Sequence, residues 1–324
     1  VSTATLPATP APAAAPNLVA EPPPASVWRE LMKSRRVTVG GGILLAILLL
    51  CLLTLPFTTK SGSALYYDRQ DAASRHDAPK VSPVGWFGHD LLGRSILARC
   101  LMGGTISLAV GAAAATISVV LGVTVGLFAG YRGGWVDAVL MRSVDILYGL
   151  PYILLVILFK IAFEEPLGRV LRSAQAANLV VLFSAIGLVS WLTMARVVRG
   201  QVLSLRGQPF IEACRAMGLK ERRIFLRHIL PNLIGPITVY ATLTVPSAIL
   251  QESFLSFLGV GVNAPLPTWG SLASEAVQQM SPVHLRWWLL VFPCALLAVT
   301  LLSLNFLGDG LRDVFDPKKE AAKI

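Results

Sequence analysis

Few residues in this chain could carry chemistry. His76, His89, His228 and His284 are scattered and form no metal constellation. Cys51, Cys100, Cys214 and Cys294 have no metal spacing and suggest no disulfide framework, so each reads as a small buried or incidental residue. No Gly-x4-Gly-Lys-Ser/Thr phosphate loop occurs, so nothing here is expected to bind ATP or Mg or to hydrolyse a nucleotide. The apolar runs also lack paired groups, two aspartates or a Ser–His pair, that a membrane-embedded hydrolase needs. No catalytic residue, metal site or cofactor is expected.

Two kinds of candidate remain. Gln251 and Glu252 lie near the end of an apolar run. A carboxylate at membrane depth is costly and usually faces a bundle interior or water, where it could meet a cation. The other reading is a helix-end residue exposed at the interface. The second candidate is the segment QPFIEACRAMGLKERRIFLRHILPN, Gln208 to Asn232. Phe210, Ala213, Cys214 and Met217 recur with helical spacing and make one apolar face of a short helix. Gly218 permits a sharp turn. A second short helix, Lys220–Ile229, is rich in arginine, and Pro231 is expected to end it. Glu212 can pair with Arg215 one turn on. On periodicity alone this is either a dock for a partner or a surface helix whose arginines meet anionic lipid.

The elements that must position these residues are membrane spans. Of 324 residues 54% are hydrophobic and 14% charged, and the mean hydropathy is +0.65. A soluble domain carries about 25% charged residues, so a large soluble core is excluded. Apolar runs predict an all-α integral membrane protein with six spans, at Val37–Phe57, Ile106–Gly130, Val136–Ile161, Leu179–Val198, Leu233–Leu250 and Trp287–Leu307. The fourth is the weakest, interrupted by Ser184, Ser190 and Thr193. Residues 1–26, rich in Ala and Pro, read as a disordered tail. The first span reads as an uncleaved anchor, being too long for a signal-peptide core of about 7–15 residues. Lysine and arginine crowd before the first span, after the fourth and after the sixth, which predicts both termini in the cytoplasm and the loop at about 199–232 there too. The net charge of +10 is therefore a topology signal, and nucleic acid is not expected as a partner. Gly122, Gly126 and Gly130 stack on one helix face, as at a close helix–helix contact. Pro151, Pro236, Pro246 and Pro293 break other spans.

The segment from Gln208 resembles the EAA loop of bacterial ABC importer permeases. Glu212, Ala213, Gly218, Leu230 and Pro231 stand at its motif positions, with Cys214 where Ala is usual and His228 where Ile is usual. Further segments resemble one branch, the dipeptide/oligopeptide/nickel permeases. These are Gly88-His89-Asp90-Leu91-Leu92-Gly93-Arg94, Ser107-Leu108-Ala109-Val110-Gly111, Ser256-Phe257-Leu258-Gly259-Val260-Gly261, Pro267-Thr268-Trp269-Gly270, Gly308-Asp309-Gly310-Leu311-Arg312-Asp313 and Asp316-Pro317. Ser95 and Thr105 depart from the pattern, where Asp and Arg are common. The resemblance covers about residues 30 to 318.

The resemblance implies a type I ABC importer permease fold, of the second permease type of a heterodimeric pair. It implies a second homologous permease subunit, two ABC ATPase subunits that bind ATP and Mg, and an extracytoplasmic solute-binding protein; the chain itself would cross the bacterial inner membrane several times, among lipid. The cargo would be a di- or oligopeptide or a related small solute such as a nickel complex. Glu212, Ala213, Cys214, Met217, Gly218, Leu230 and Pro231 would couple to the ATPase. Gln251 and Glu252 are pathway candidates, able to meet a peptide amino terminus. Asp90, Gly93 and Arg94 are candidate contacts for the binding protein, within a loop at 58–105 expected outside. Residues 27–57 would form an elbow and first span, 106–308 the permease core, and 309–324 a cytoplasmic tail. The rival of another class, an ion-coupled secondary transporter, predicts internal repeats and intramembrane charges. The sequence has no internal repeat and almost no charge in its spans.

Overall fold

The computed structural model describes residues 31–32, 34–82, 84–280 and 285–315. The expected tail at 1–26, His284, Asp316 and Pro317 lie outside them. The described residues are almost entirely helical; the only extended pairing among them is an isolated bridge between His89 and Ser95. We number the helices α1 (Arg35–Thr59), α2 (Ile96–Arg132), α3 (Gly134–Tyr148), α4 (Tyr152–Leu171), α5 (Ala174–Arg206), α6 (Pro209–Ala216), α7 (Glu221–Phe257), α8 (Trp269–Gln279) and α9 (Trp288–Phe315).

Five of these, α1, α2, α5, α7 and α9, are long and apolar enough to cross a membrane. The expected third span, Val136–Ile161, is not one helix. It breaks at Gly149–Pro151 into α3 and α4, which meet at 93°. Pro151 sets the break: it precedes α4, and it disfavours helical geometry in the residue before it. The expected boundaries also move outward. α2 starts at Ile96, ten residues ahead of the expected Ile106, because Ser95 caps it and Arg99 in its first turns is ion-paired. α5 is a helix of 33 residues.

α5 is the centre of the bundle. Half of its most apolar stretch is buried, against 11% in α1. That accommodates the interrupting Ser184, Ser190 and Thr193: a helix packed largely against protein need not be apolar on every face. α2 packs along it through the glycine face, where a Cβ on Gly126 would lie 2.5 Å from the Ala195 carbonyl oxygen. Within α2 a wide turn at Ser118–Val123 faces α5, and the Ser118 hydroxyl donates to the Ser190 carbonyl at 3.1 Å. α4 and α5 form an antiparallel hairpin. α1 and α9 pack together at the periphery, where Gly40 allows close contact with Ser303 and Phe306.

The helix ends define two opposite ends of the bundle. The starts of α1 and α7 and the end of α9 lie at the same end as α6, since Gly310 packs on Val37 and Gly235 on Phe315. This is the arginine-rich end. The loop at 60–95 and α8 lie at the other.

Candidate functional site

The arginine-rich end is built around α6. Gln208 precedes it and Pro209 opens it, a position where the missing N–H costs nothing. Ile211 and Cys214 point inward and join Val198 and Val202 of α5 and Ile224, Ile229 and Leu233 of α7 in one apolar cluster. The expected apolar face therefore divides. Cys214 is an internal anchor, whereas Phe210, Ala213 and Met217 are exposed, Met217 by 72%. Ile211, which the expected stripe omitted, is wholly buried.

Beyond α6 the chain reverses at Gly218, whose φ is +75°. Its N–H donates to the Arg215 carbonyl at 2.9 Å, and the Leu219 N–H donates to the Cys214 carbonyl at 3.1 Å. These bonds satisfy carbonyls that the end of α6 would leave open. Arg215 does not pair with Glu212. Its Nε donates to Glu221 Oε1 at 2.9 Å, and the Tyr131 hydroxyl donates to Glu221 Oε2 at 3.0 Å. Glu212 is exposed, and its carboxylate has no hydrogen-bond or ion-pair partner among the described residues.

Pro231 does not end a helix. α7 runs through it, because a wide turn at Phe225–Ile229 lies immediately before it and absorbs the missing N–H. Leu230 is half-buried there and Pro231 is exposed. Lys220, Arg222, Arg223 and Arg227 line a shallow cleft beside Leu226 and Pro231. At the same end Arg199 Nη2 donates to Asp137 at 2.6 Å and Arg196 Nη2 donates to Asp145 at 2.9 Å, which hold α3 across α5.

At the opposite end Asp90 and Arg94 do not face outward. Asp90 is 1% exposed and Arg99 2%. Arg94 Nε donates to Asp90 Oδ2 at 2.7 Å, and Arg99 Nη1 donates to the same oxygen at 3.0 Å. Arg99 also donates to both oxygens of Glu275 in α8, at 2.6 and 2.8 Å. Arg94 reaches Asp68 and Glu275, both at 3.3 Å. Gly93, with φ +75°, packs so tightly on Asp71 that a Cβ would overlap its carbonyl. The motif thus knits the outer loop to α2 and α8. Asp90 and Arg94, the candidate partner contacts, are engaged within the chain with Arg99, Asp68 and Glu275. In the same loop the Asp71 carboxylate is held below its usual range by the Ala73 N–H and the Ser74 hydroxyl.

Gln251 and Glu252 part company. Glu252 is 0% exposed and accepts from Ser256 at 2.6 Å and from Ser107 of α2 at 3.3 Å. Ser107 Oγ in turn accepts from the Trp269 N–H of α8 at 3.4 Å. The exposed, helix-end reading of Glu252 does not hold. Gln251 lies on another side of α7, in a cleft between α4, α5 and α7.

Sequence reasoning missed Lys160. Its Nζ donates to the Val260 and Gly261 carbonyls, both at 2.9 Å, and fastens the loop after α7 to α4. The lone charge among apolar residues in Tyr152–Ile161 was the available signal.

A family model described as "Binding-protein-dependent transport system inner membrane component" matches residues 122–321. The chain is 44% identical over 298 residues to the oligopeptide transport system permease protein OppC of Escherichia coli (strain K12), covering 90% of this chain and 92% of that one. It is 40% identical to OppC of Haemophilus influenzae, covering 90% and 89%. It is 39% identical to the dipeptide transport system permease protein DppC of Bacillus subtilis (strain 168), covering 90% and 84%. Among solved structures, an inward-facing form of the MetNI methionine ABC transporter matches with a TM-score of 0.52 and 21% identity, covering 68% of this chain and 97% of that one.

Proposed function

The chain belongs to the family of binding-protein-dependent transport system inner membrane components, and we propose that it is the peptide-importing permease subunit whose α6 elbow docks a separate ATPase. It is a multi-pass inner-membrane protein with the ABC importer permease fold. The relatives carry oligopeptide and dipeptide names, which favours a peptide cargo over the nickel-complex alternative.

The observation that carries the docking role is the split face of α6. Ile211 and Cys214 fix the helix to α5 and α7, while Glu212, Ala213, Phe210 and Met217 remain free beside Gly218. A push on the free face reaches α5 and α7 through the fixed one. These two helices carry Gln251 and its cleft, so work done on the elbow moves the walls of the candidate pathway. Coupling in this sense needs contacts that differ between two states. ATP and Mg belong to the ATPase subunits, and the complete importer pairs this chain with a second permease and receives cargo from an extracytoplasmic binding protein. The start of α1, the end of α9 and α6 face the cytoplasm, in line with the lysine and arginine distribution.

The test is peptide uptake by cells whose own copy is replaced. Uptake is expected with the intact chain and its ATPase together. Uptake by this chain without any ATPase would overturn the reading in favour of ion-coupled transport.

A further inference from the structure

Beside Gln251 the bundle holds a cleft of about 300 Å³ lined by Tyr148, Tyr152, Ser190 and Thr193 together with leucine and valine side chains. No lining residue is charged. The Gln251 Oε1 is buried and has no hydrogen-bond partner. A buried polar group without a partner costs free energy and calls for an explanation.

The cleft lies between the outer loop and the arginine-rich end, and the Arg196–Asp145 pair of that end borders it: the Arg196 guanidinium stacks on the Tyr148 ring at 4.1 Å. Tyr152 is eight residues from Lys160, which marks the outer loop, a distance of about 12 Å along α4. Thr193 is three residues, about 4.5 Å along α5, from Arg196. One wall is the break at Gly149–Pro151, where α3 turns away from α4. Irregular backbone at membrane depth is tolerated where protein buries it or where it lines a wet cavity. Thr193 is exposed, and its hydroxyl has no partner among the described residues. The neighbouring carboxylate, Glu252, faces α2 and α8 and contributes no charge to the cleft.

We propose that this cleft is a way-station for the peptide backbone, with the Gln251 amide as its principal hydrogen-bonding group. The inference rests on the peptide-importer reading above. An amide offers a donor and an acceptor, which matches the C=O and N–H that every peptide unit presents. Aromatic and aliphatic walls accept side chains of varied shape. The lining carries no charge and the bordering Arg196 is offset by Asp145, which leaves the site indifferent to whether a cargo side chain is cationic or anionic. A charged site would hold one class of peptide and repel another. A neutral amide binds all of them weakly enough to let go.

The experiment uses the complete importer in lipid vesicles, with three probes: trialanine, Ala-Lys-Ala and Ala-Glu-Ala. Gln251→Leu keeps the size and removes the amide; Gln251→Asn keeps the amide. Losing one neutral hydrogen bond is expected to slow import about fivefold to tenfold for Gln251→Leu, equally for all three peptides. Gln251→Asn retains most of the rate. The amount of chain in the membrane stays unchanged. Thr193→Val, isosteric at an exposed position, gives a smaller loss and a second reading if Gln251→Leu fails to insert. Wild-type rates for Gln251→Leu, or a loss confined to one charge class, would overturn the inference while leaving the importer reading intact. A wild-type importer that hydrolyses ATP but moves none of the three peptides would overturn both.

Discussion

Arg215 and Glu221 face each other across the Gly218 turn, with Nε donating to Oε1 at 2.9 Å. The pair joins the end of α6 to the start of α7, and the Tyr131 hydroxyl ties the same carboxylate to the end of α2. Three elements therefore meet at one side chain. Both partners are substantially exposed, so the pair adds about 0–1 kcal/mol to stability. Its value is in angle, since it fixes how α6 projects.

Glu221→Gln should leave the amount of folded chain unchanged and lower the uptake achieved per ATP hydrolysed. Measuring both in the same membranes separates the two. Equal losses of uptake and hydrolysis, with the ratio preserved, would contradict a role in transmission.

Gly218→Pro should abolish uptake while the chain still inserts. A φ of +75° is closed to proline, whose ring holds φ near −65°. Gly218→Ala is the milder test. It costs about 1–2 kcal/mol in the left-handed region and should reduce uptake without abolishing it. Glu212→Lys reverses the free charge on the exposed face and should block uptake with no loss of membrane-inserted chain. Immunoblotting of membranes beside peptide uptake checks all three.

Asp90→Ala leaves Arg99 with one carboxylate instead of two in a buried site. Breaking a buried ion pair from one side costs about 3–5 kcal/mol. The chain should be less abundant in membranes and melt earlier in detergent. Replacing Arg99 by Met in the same chain should recover part of that loss. A single Asp90→Ala that is fully stable would remove the cluster from the account of the outer loop.

Glu252→Gln should retain wild-type peptide affinity and rate, because Glu252 sits behind the cleft wall and accepts from Ser107 and Ser256. A changed affinity in uptake kinetics would put Glu252 back in the pathway.

The family and the spans were legible in the sequence because both rest on local signals. Apolar runs are contiguous, and the Glu212-to-Pro231 spacing is a short motif. The break in the third span was half-legible: Pro151 marked a break, but nothing local gave its 93° angle. α5 looked weak because Ser184, Ser190 and Thr193 interrupt it, yet half of its most apolar stretch is buried against protein. The pairing of Arg215 was misread because Glu212 is one helical turn away, whereas Glu221 arrives only once Gly218 reverses the chain. The inward turn of Asp90 and Arg94 depends on Arg99 and Glu275, the latter 181 residues from Arg94. No local pattern reports a partner at that distance.

The central claim, that the free face of α6 meets an ATPase, is tested most directly by a photo-crosslinking amino acid at Met217, which is 72% exposed. The complete importer is illuminated in membranes, and the products are identified by mass spectrometry. A crosslink to the ATPase subunit, whose yield changes when ATP is added, is the predicted result. Crosslinks to lipid alone in an importer that still transports peptide would contradict it.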